Sequence, residues 1–260
     1  MNRHLTLVLA FLTVTPAVAL DLNDYRMVDL SHSYGENTLY WPTSPTAFQK
    51  EELEYGVSEG GWFYSAYSVC TPEHGGTHID APINFAEGGR STEEIPLGNL
   101  IAPAVVIDVS SKAAQDRNYR LTAEDISEFE MQHGKIAAGT IVLMRTDWSN
   151  HWPDAIAYLG DDTPGDASKL QFPGFGAAAT TILAEERKVA MLGVDTASVD
   201  YGKSQDFIVH RIGSAQGVPN LENLTNLSQL PPTGATILAL PMKIEGGSGG
   251  PVRVIALVPK

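Results

Sequence analysis

Residues 73–85 read EHGGTHIDAPINF, and whether they are helical or extended decides how the rest of the chain is read. His74 and His78 are four apart and would share one face of a helix, but Gly75, Gly76 and Pro82 all disfavour a helix here. An extended segment fits. Side chains alternate along a strand, so His78 and Asp80 point the same way, and the glycine pair gives the backbone the freedom to turn His74 back toward them. One histidine in a Gly-rich stretch reads as a solvated loop residue or a hydrogen-bonded core residue. Two histidines and an aspartate within seven residues read as metal ligands. Their nitrogen and oxygen donors suit zinc, manganese or iron, and the absence of thiolate argues against a closed structural zinc site. Three protein ligands also leave room for water.

Upstream lie two aromatic clusters, Tyr40-Trp41-Pro42 and Trp62-Phe63-Tyr64, and Phe85 closes the motif itself. Small-molecule sites pair apolar walls with a few polar groups, so Trp41, Trp62, Phe63, Tyr64 and Phe85 are expected to form a substrate-binding wall. Cys70 is the single cysteine. It excludes an intrachain disulfide, and within YSVCT it reads as a small buried hydrophobe.

Downstream, five short β-branched runs stand out: AVVIDV at 104–109, TIVLM at 140–144, VAMLGV at 189–194, TILAL at 236–240 and RVIALV at 253–258. Each is too short for a helix and apolar enough for a central strand buried on both faces. Helices are expected over 122–132, with Thr122 as N-cap and Asp125 three residues on, and over 177–188, which ends in basic residues. This is an α/β pattern with a single domain. Asp195 follows VAMLGV at the carboxyl edge of the expected sheet, where ligands tend to bind. It opens a second polar constellation of Asp195, Asp200, Asp206, His210, Gln216 and Glu222, with His210 on an expected helix.

At the other end, residues 1–19 read as a secretory signal. Arg3 supplies the basic region, an apolar run follows from Leu5 to Val14, and Ala17-Val18-Ala19 forms a small-residue cleavage site. The organisation expected is therefore 1–19 signal peptide and 20–260 catalytic domain, in a secreted or periplasmic protein. Cleavage removes Arg3 and no acidic residue, taking the net charge from −14 to −15. Such a charge repels nucleic acid and anionic membranes, so neither is expected as a partner of the mature chain.

HGGTHIDAPINF resembles the signature of the cyclase-type metal-dependent hydrolases, H-x-G-T-H-x-D-x-P-x-H-F. The likeness extends to VDLSH (28–32), LGVDTASVDYG (192–202), the ENL beginning at Glu222, and the closing LPMKIEGGSGGPVRVIAL, and so covers nearly the whole mature chain. The resemblance implies a swivelling β/β/α fold, usually oligomeric as a homodimer or higher homo-oligomer, with a Mn²⁺ or alternatively Zn²⁺ site of one or two ions. His74, His78 and Asp80 match the family's first metal set. His210 and Glu222 match residues that bind a second metal in its formamidase branch. The 192–207 stretch is closer to the isatin-hydrolysing branch.

One position departs from the signature. Its last histidine, an acid or base in the formamidase branch, is Asn84 here. An amide can orient a carbonyl or a water but cannot accept and return a proton near neutral pH. Glu222 is the expected replacement, with His210 second. The expected activity is hydrolysis of a compact aromatic amide by a metal-bound hydroxide, with isatin opened to isatinate. N-formylkynurenine deformylation, or a non-catalytic metal and ligand binder, are the alternatives.

Overall fold

All five apolar runs become strands of one sheet. The computed structural model describes residues 21–260, so the export segment expected over 1–19 lies outside the described residues. The strands are β1 (Tyr25–Asp29), β2 (Gln49–Val57), β3 (Phe63–Cys70), β4 (His78–Asp80), β5 (Ile101–Asp108), β6 (Arg120–Leu121), β7 (Ile141–Arg145), β8 (Gly174–Phe175), β9 (Met191–Val194), β10 (Asn220–Glu222), β11 (Thr233–Pro241) and β12 (Gly249–Pro259). The helices are α1 (Leu97–Leu100), α2 (Ser110–Gln115), α3 (Ala123–His133), α4 (Ala155–Leu159), α5 (Ala177–Thr181) and α6 (Ile208–Ala215).

The main sheet runs β1-β12-β11-β5-β7-β9-β10-β4, and β4 pairs back onto β12. Seven strands thus close into a barrel-like sheet, with β1 added at β12. β5, β7, β9 and β10 are parallel, and the remaining pairings in this sheet are antiparallel. Alternate residues of these strands fill the interior: Ile79, Ile141, Leu143, Leu221, Ile237 and Val254 are among the side chains buried there. On the other face of β7 and β9, Val142, Met144, Leu192 and Val194 pack against Ile126 and Phe129 of α3 and Val209 of α6. A closed sheet with helices against one side is the β/β/α layering that the resemblance implied, in an α/β chain.

Burial on both faces holds for β7 and β9, the strands under the helices. It does not hold for β5, β11 and β12, whose burial alternates. α3 covers only the carboxyl half of β5, where Ile107 is buried against it, and Ile101 at the start of β5 and Leu240 of β11 stay exposed. The expected 122–132 helix is α3, and Thr122 and Asp125 cap each other's backbone as a capping box. The expected 177–188 helix is α5, which widens into a π-turn over Ile182–Glu186. Arg187 then ties it to Glu130 of α3 through two hydrogen bonds of 2.7 and 2.9 Å.

β2 and β3 form a separate two-stranded hairpin whose residues are almost all exposed. Cys70, at its end, is exposed too, contrary to the expectation of a buried hydrophobe. The hairpin packs neither face into the barrel, so an apolar residue on it gains no core.

Candidate metal centre and active site

The metal motif is extended where the alternation required it. β4 lies between β10 and β12, with Asp80 opposite Asn220 and Gly249, and His78 opposite Glu222 and Pro251. Ile79 points into the barrel, so His78 and Asp80 project outward together, and Glu222, directly across the ladder from His78, joins them on that face. Gly76 has φ +56°, and a Cβ there would meet the Tyr34 ring at 2.7 Å; at Gly75 one would meet the Tyr40 ring at 2.1 Å. Both positions need glycine, and the turn they make brings His74 Nδ1 to 2.6 Å from Asp80 Oδ1.

His210 arrives from the other side, on the first turn of α6. Asp200 accepts the backbone N–H groups of Val209 and His210, both at 3.1 Å, and so supplies the acceptor that the helix start requires. The same carboxylate lies 2.7 Å from His210 Nδ1. His210 Nε2 is then 3.0 Å from Asp80 Oδ2 and 3.2 Å from Glu222 Oε1. Asp80 is thereby shared by two ligand groups, His74–His78–Asp80 and Asp80–His210–Glu222.

The hydrogen bonds on the far nitrogens test whether a cation fits. His78 Nδ1 lies 2.9 Å from the Gly76 carbonyl, which can only accept, so Nδ1 carries the proton. His210 Nδ1 faces Asp200 in the same way. His74 Nε2 is 2.8 Å from Ser248 Oγ, a hydroxyl that itself donates to Glu73. Each imidazole therefore turns its other nitrogen, with its lone pair, toward the carboxylates of Asp80 and Glu222. Lone pairs facing carboxylates repel unless positive charge lies between them, and a ligating histidine characteristically donates its second N–H to a protein acceptor. The donor set fits a divalent cation.

The electrostatics agree. Burial alone would lower His78, but its hydrogen bond to Asp80 and the charges of Asp80 and Glu222 outweigh burial and lift it to about 9. His210 is likewise raised, against burial, by Asp200, Asp80 and Glu222. Asp80 is held well below the carboxylate range, again against burial, by the three histidines. The cluster draws in positive charge, and protons and metal compete for it.

Above the cluster opens a cavity of about 390 Å³, lined by His74, His78, Asp80, His210 and Glu222 and walled by Trp41, Phe85 and Phe207. Phe207 packs against both Trp41, at 6.2 Å between ring centroids, and Phe85, at 5.3 Å. Asn84 also lines it, and its side chain makes no hydrogen bond among the described residues. Among the described residues no Lys or Arg lines the cavity. Trp62, Phe63 and Tyr64 lie elsewhere, exposed on the β2–β3 hairpin; they form no part of the cavity wall expected of them. Asp195 is also outside it, with its carboxylate held by Thr146.

Sequence reading missed Phe207, Asp200's hold on His210 and Ser248's on His74. Phe207 has φ +49°, an uncommon conformation for a bulky side chain. A conformation of that kind leaves no signature in sequence. Asp200 stood in the second polar constellation, but only the folded α6 start shows what it binds.

The Cyclase family profile matches residues 28–201, more than half of the chain. The chain belongs to this family, and it is a hydrolase of the cyclase type. Isatin hydrolase of Roseibium aggregatum is 36% identical over 91% of this chain and 93% of that protein. Kynurenine formamidase of Salinibacter ruber is 30% identical over 88% and 96%. Among solved structures, isatin hydrolase A from Labrenzia aggregata bound to benzyl benzoate superposes with a TM-score of 0.83, at 33% identity over 92% of this chain and 95% of that one.

Proposed function

We propose that the protein hydrolyses the amide bond of a small, uncharged, cyclic aromatic amide, with isatin opened to isatinate as the best-fitting member. One observation carries the choice of substrate. The cavity pairs the ligand cluster with flat apolar walls at Trp41, Phe85 and Phe207, and among the described residues no Lys or Arg lines it. N-formylkynurenine carries an amino-acid carboxylate, and burying a carboxylate without a partner costs several kcal/mol. Isatin brings no charge. The 36% identity to an isatin hydrolase supports the same reading.

The net reaction adds water to the carbonyl carbon, breaks the C–N bond, and leaves a carboxylate and an amine. A divalent cation held by these donors, manganese in our reading and zinc as the alternative, polarises the carbonyl and lowers the pKa of water. Glu222 is the proton acceptor. Its Oε1 is fixed by the Val199 N–H at 2.8 Å, and both oxygens face the cluster, 3.5 Å from His78 and 3.2 Å from His210. It takes the proton of the attacking water and passes it to the leaving nitrogen, while His210 supports the charge. Asn84 donates a hydrogen bond to the carbonyl oxygen. Trp41, Phe85 and Phe207 hold the ring and exclude bulk water.

The Salinibacter relative favours a second reading, arylformamidase activity. We read the protein as exported, and the hairpin as the surface by which two copies associate. An isolated two-stranded hairpin is marginal in water, and Tyr55, Trp62, Phe63 and Val69 leave an apolar surface uncovered on this one. Turnover of isatin and of N-formylkynurenine by purified protein, with Mn²⁺ or Zn²⁺ added and then chelated, tests the activity. Metal-dependent opening of isatin is expected; no metal-dependent turnover of either amide would favour a binder.

A further inference from the structure

Two stretches find no place in the chemistry above: VDLSH at 28–32 and the residues that follow Glu222, Asn223 and Leu224. Their residues meet beneath the metal loop. Past the last rung of the β4–β10 ladder, Asn223 continues the pairing with its own atoms. Its carbonyl accepts from Thr77 Oγ1 at 2.7 Å, and its Nδ2 donates to the Gly76 carbonyl at 2.8 Å. Thr77 Oγ1 in turn accepts from the His32 backbone N–H at 2.8 Å. On the other side, the Tyr158 hydroxyl lies 3.0 Å from Asn223 Oδ1 and 3.2 Å from the Asp195 carbonyl. Tyr158 is fully buried and Asn223 nearly so.

The Gly76 carbonyl is where this matters. It accepts two hydrogen bonds, one from Asn223 Nδ2 and one from His78 Nδ1, and the second fixes which nitrogen of His78 carries the proton and which faces the ligand cluster. Gly76 sits in a turn at φ +56°, a conformation glycine enters and leaves easily. The Gly76 N–H donates to the Leu39 carbonyl at 3.0 Å, which ties down the turn but leaves the aim of the Gly76 carbonyl to the donors it meets. Asn223 is built for that role. Its own φ is +55°, which asparagine tolerates far better than most residues, and its amide offers a donor to Gly76 and an acceptor to Tyr158.

We propose that Asn223, braced by Tyr158, is a positioning residue of the metal centre: it holds the Gly76 carbonyl against His78 Nδ1 and so presents His78 Nε2 to the cation. The inference rests on the metal-dependent reading above and adds a residue that, although it lines the cavity, acts on the metal through His78. Partners of this kind, one bond beyond the ligand, typically control metal affinity by 10- to 100-fold.

The test uses two variants and three readouts. Asn223→Gly removes the side chain but keeps a residue at ease at φ +55°, so backbone strain is not mixed with the lost hydrogen bonds. Tyr158→Phe leaves Asn223 in place and removes its brace, together with the contact of the hydroxyl to the Asp195 carbonyl. Metal affinity is measured by competition with a chelator, the His78 Nδ1 proton by NMR of the zinc-loaded protein labelled with ¹⁵N-histidine, and thermal stability on the metal-free protein. Expected for Asn223→Gly is metal binding weakened about 10- to 100-fold, with the Nδ1 proton of His78 shifted and exchanging faster. Tyr158→Phe is expected to lose roughly threefold to tenfold, the scale of one hydrogen bond. Wild-type affinity in both variants overturns the inference. So does weakened binding with an unchanged His78 proton, because the effect would then reach the metal by another route. A wild-type protein that takes up no metal overturns the functional reading, and this inference with it.

Discussion

Replacing Asp195 with asparagine should remove a pH dependence of stability whose size follows from the structure. Asp195 directly follows β9 and is 1% exposed. Burial pushes its carboxyl up from 3.8 to about 7, with the charge of Asp147 adding to the rise and hydrogen bonds from Thr146 only partly opposing it. Between those two values the folded protein holds a proton that the unfolded chain has released. Stability from this residue is therefore fully present below the unfolded value and falls as pH rises toward the folded one. The whole span is worth roughly 4 kcal/mol, and the part between about pH 5 and pH 8 roughly 3 kcal/mol. For a domain of this size that is about 5–10 °C in Tm. Asparagine keeps an oxygen for the Thr146 N–H and has no proton to lose. Melting both proteins in chelator across that pH range makes other titrations cancel, and the wild-type Tm should fall about 5–10 °C further than that of the variant. Parallel curves would refute the reasoning. Because Asp195 lies outside the cavity, kcat/KM of the variant at neutral pH should stay close to that of wild type.

His78→Ala and Asp80→Ala should each abolish metal uptake and turnover while leaving a folded protein; Asp80 is the more severe loss because both ligand groups share it, and full occupancy by elemental analysis in either variant would show the site to be misplaced. Asn84→His should lower kcat/KM for isatin if Asn84 orients the carbonyl, whereas a rise in kcat toward both amides would mark Asn84 as a handicap. Trp62→Ser with Phe63→Ser should reduce the mass seen by light scattering to that of one chain if the hairpin joins two copies; an unchanged mass would place self-association elsewhere.

What the sequence revealed was local. The capping box at Thr122 and the apolar runs of β7 and β9 are short-range patterns, and they hold in the structure. The convergence of His74, His78 and Asp80 was equally legible, since strand alternation and two glycines within seven residues determine it. Long-range closure was not. That Glu222 faces His78 depends on β10 pairing with β4, and that β4 also meets β12 depends on a barrel closed between residues far apart in the chain. Aromatic content alone misled at Trp62, Phe63 and Tyr64. The same side chains suit a cavity wall or an exposed hairpin, and only the lack of a further sheet partner for β2–β3 among the described residues separates the two.

The central claim is most directly tested by steady-state turnover of isatin and N-formylkynurenine side by side, using wild-type protein before and after metal removal and after restoration with Mn²⁺ or Zn²⁺. Expected is a higher kcat/KM for isatin, lost on chelation and regained with metal. Faster turnover of N-formylkynurenine, or isatin opening that survives complete metal removal, would contradict it.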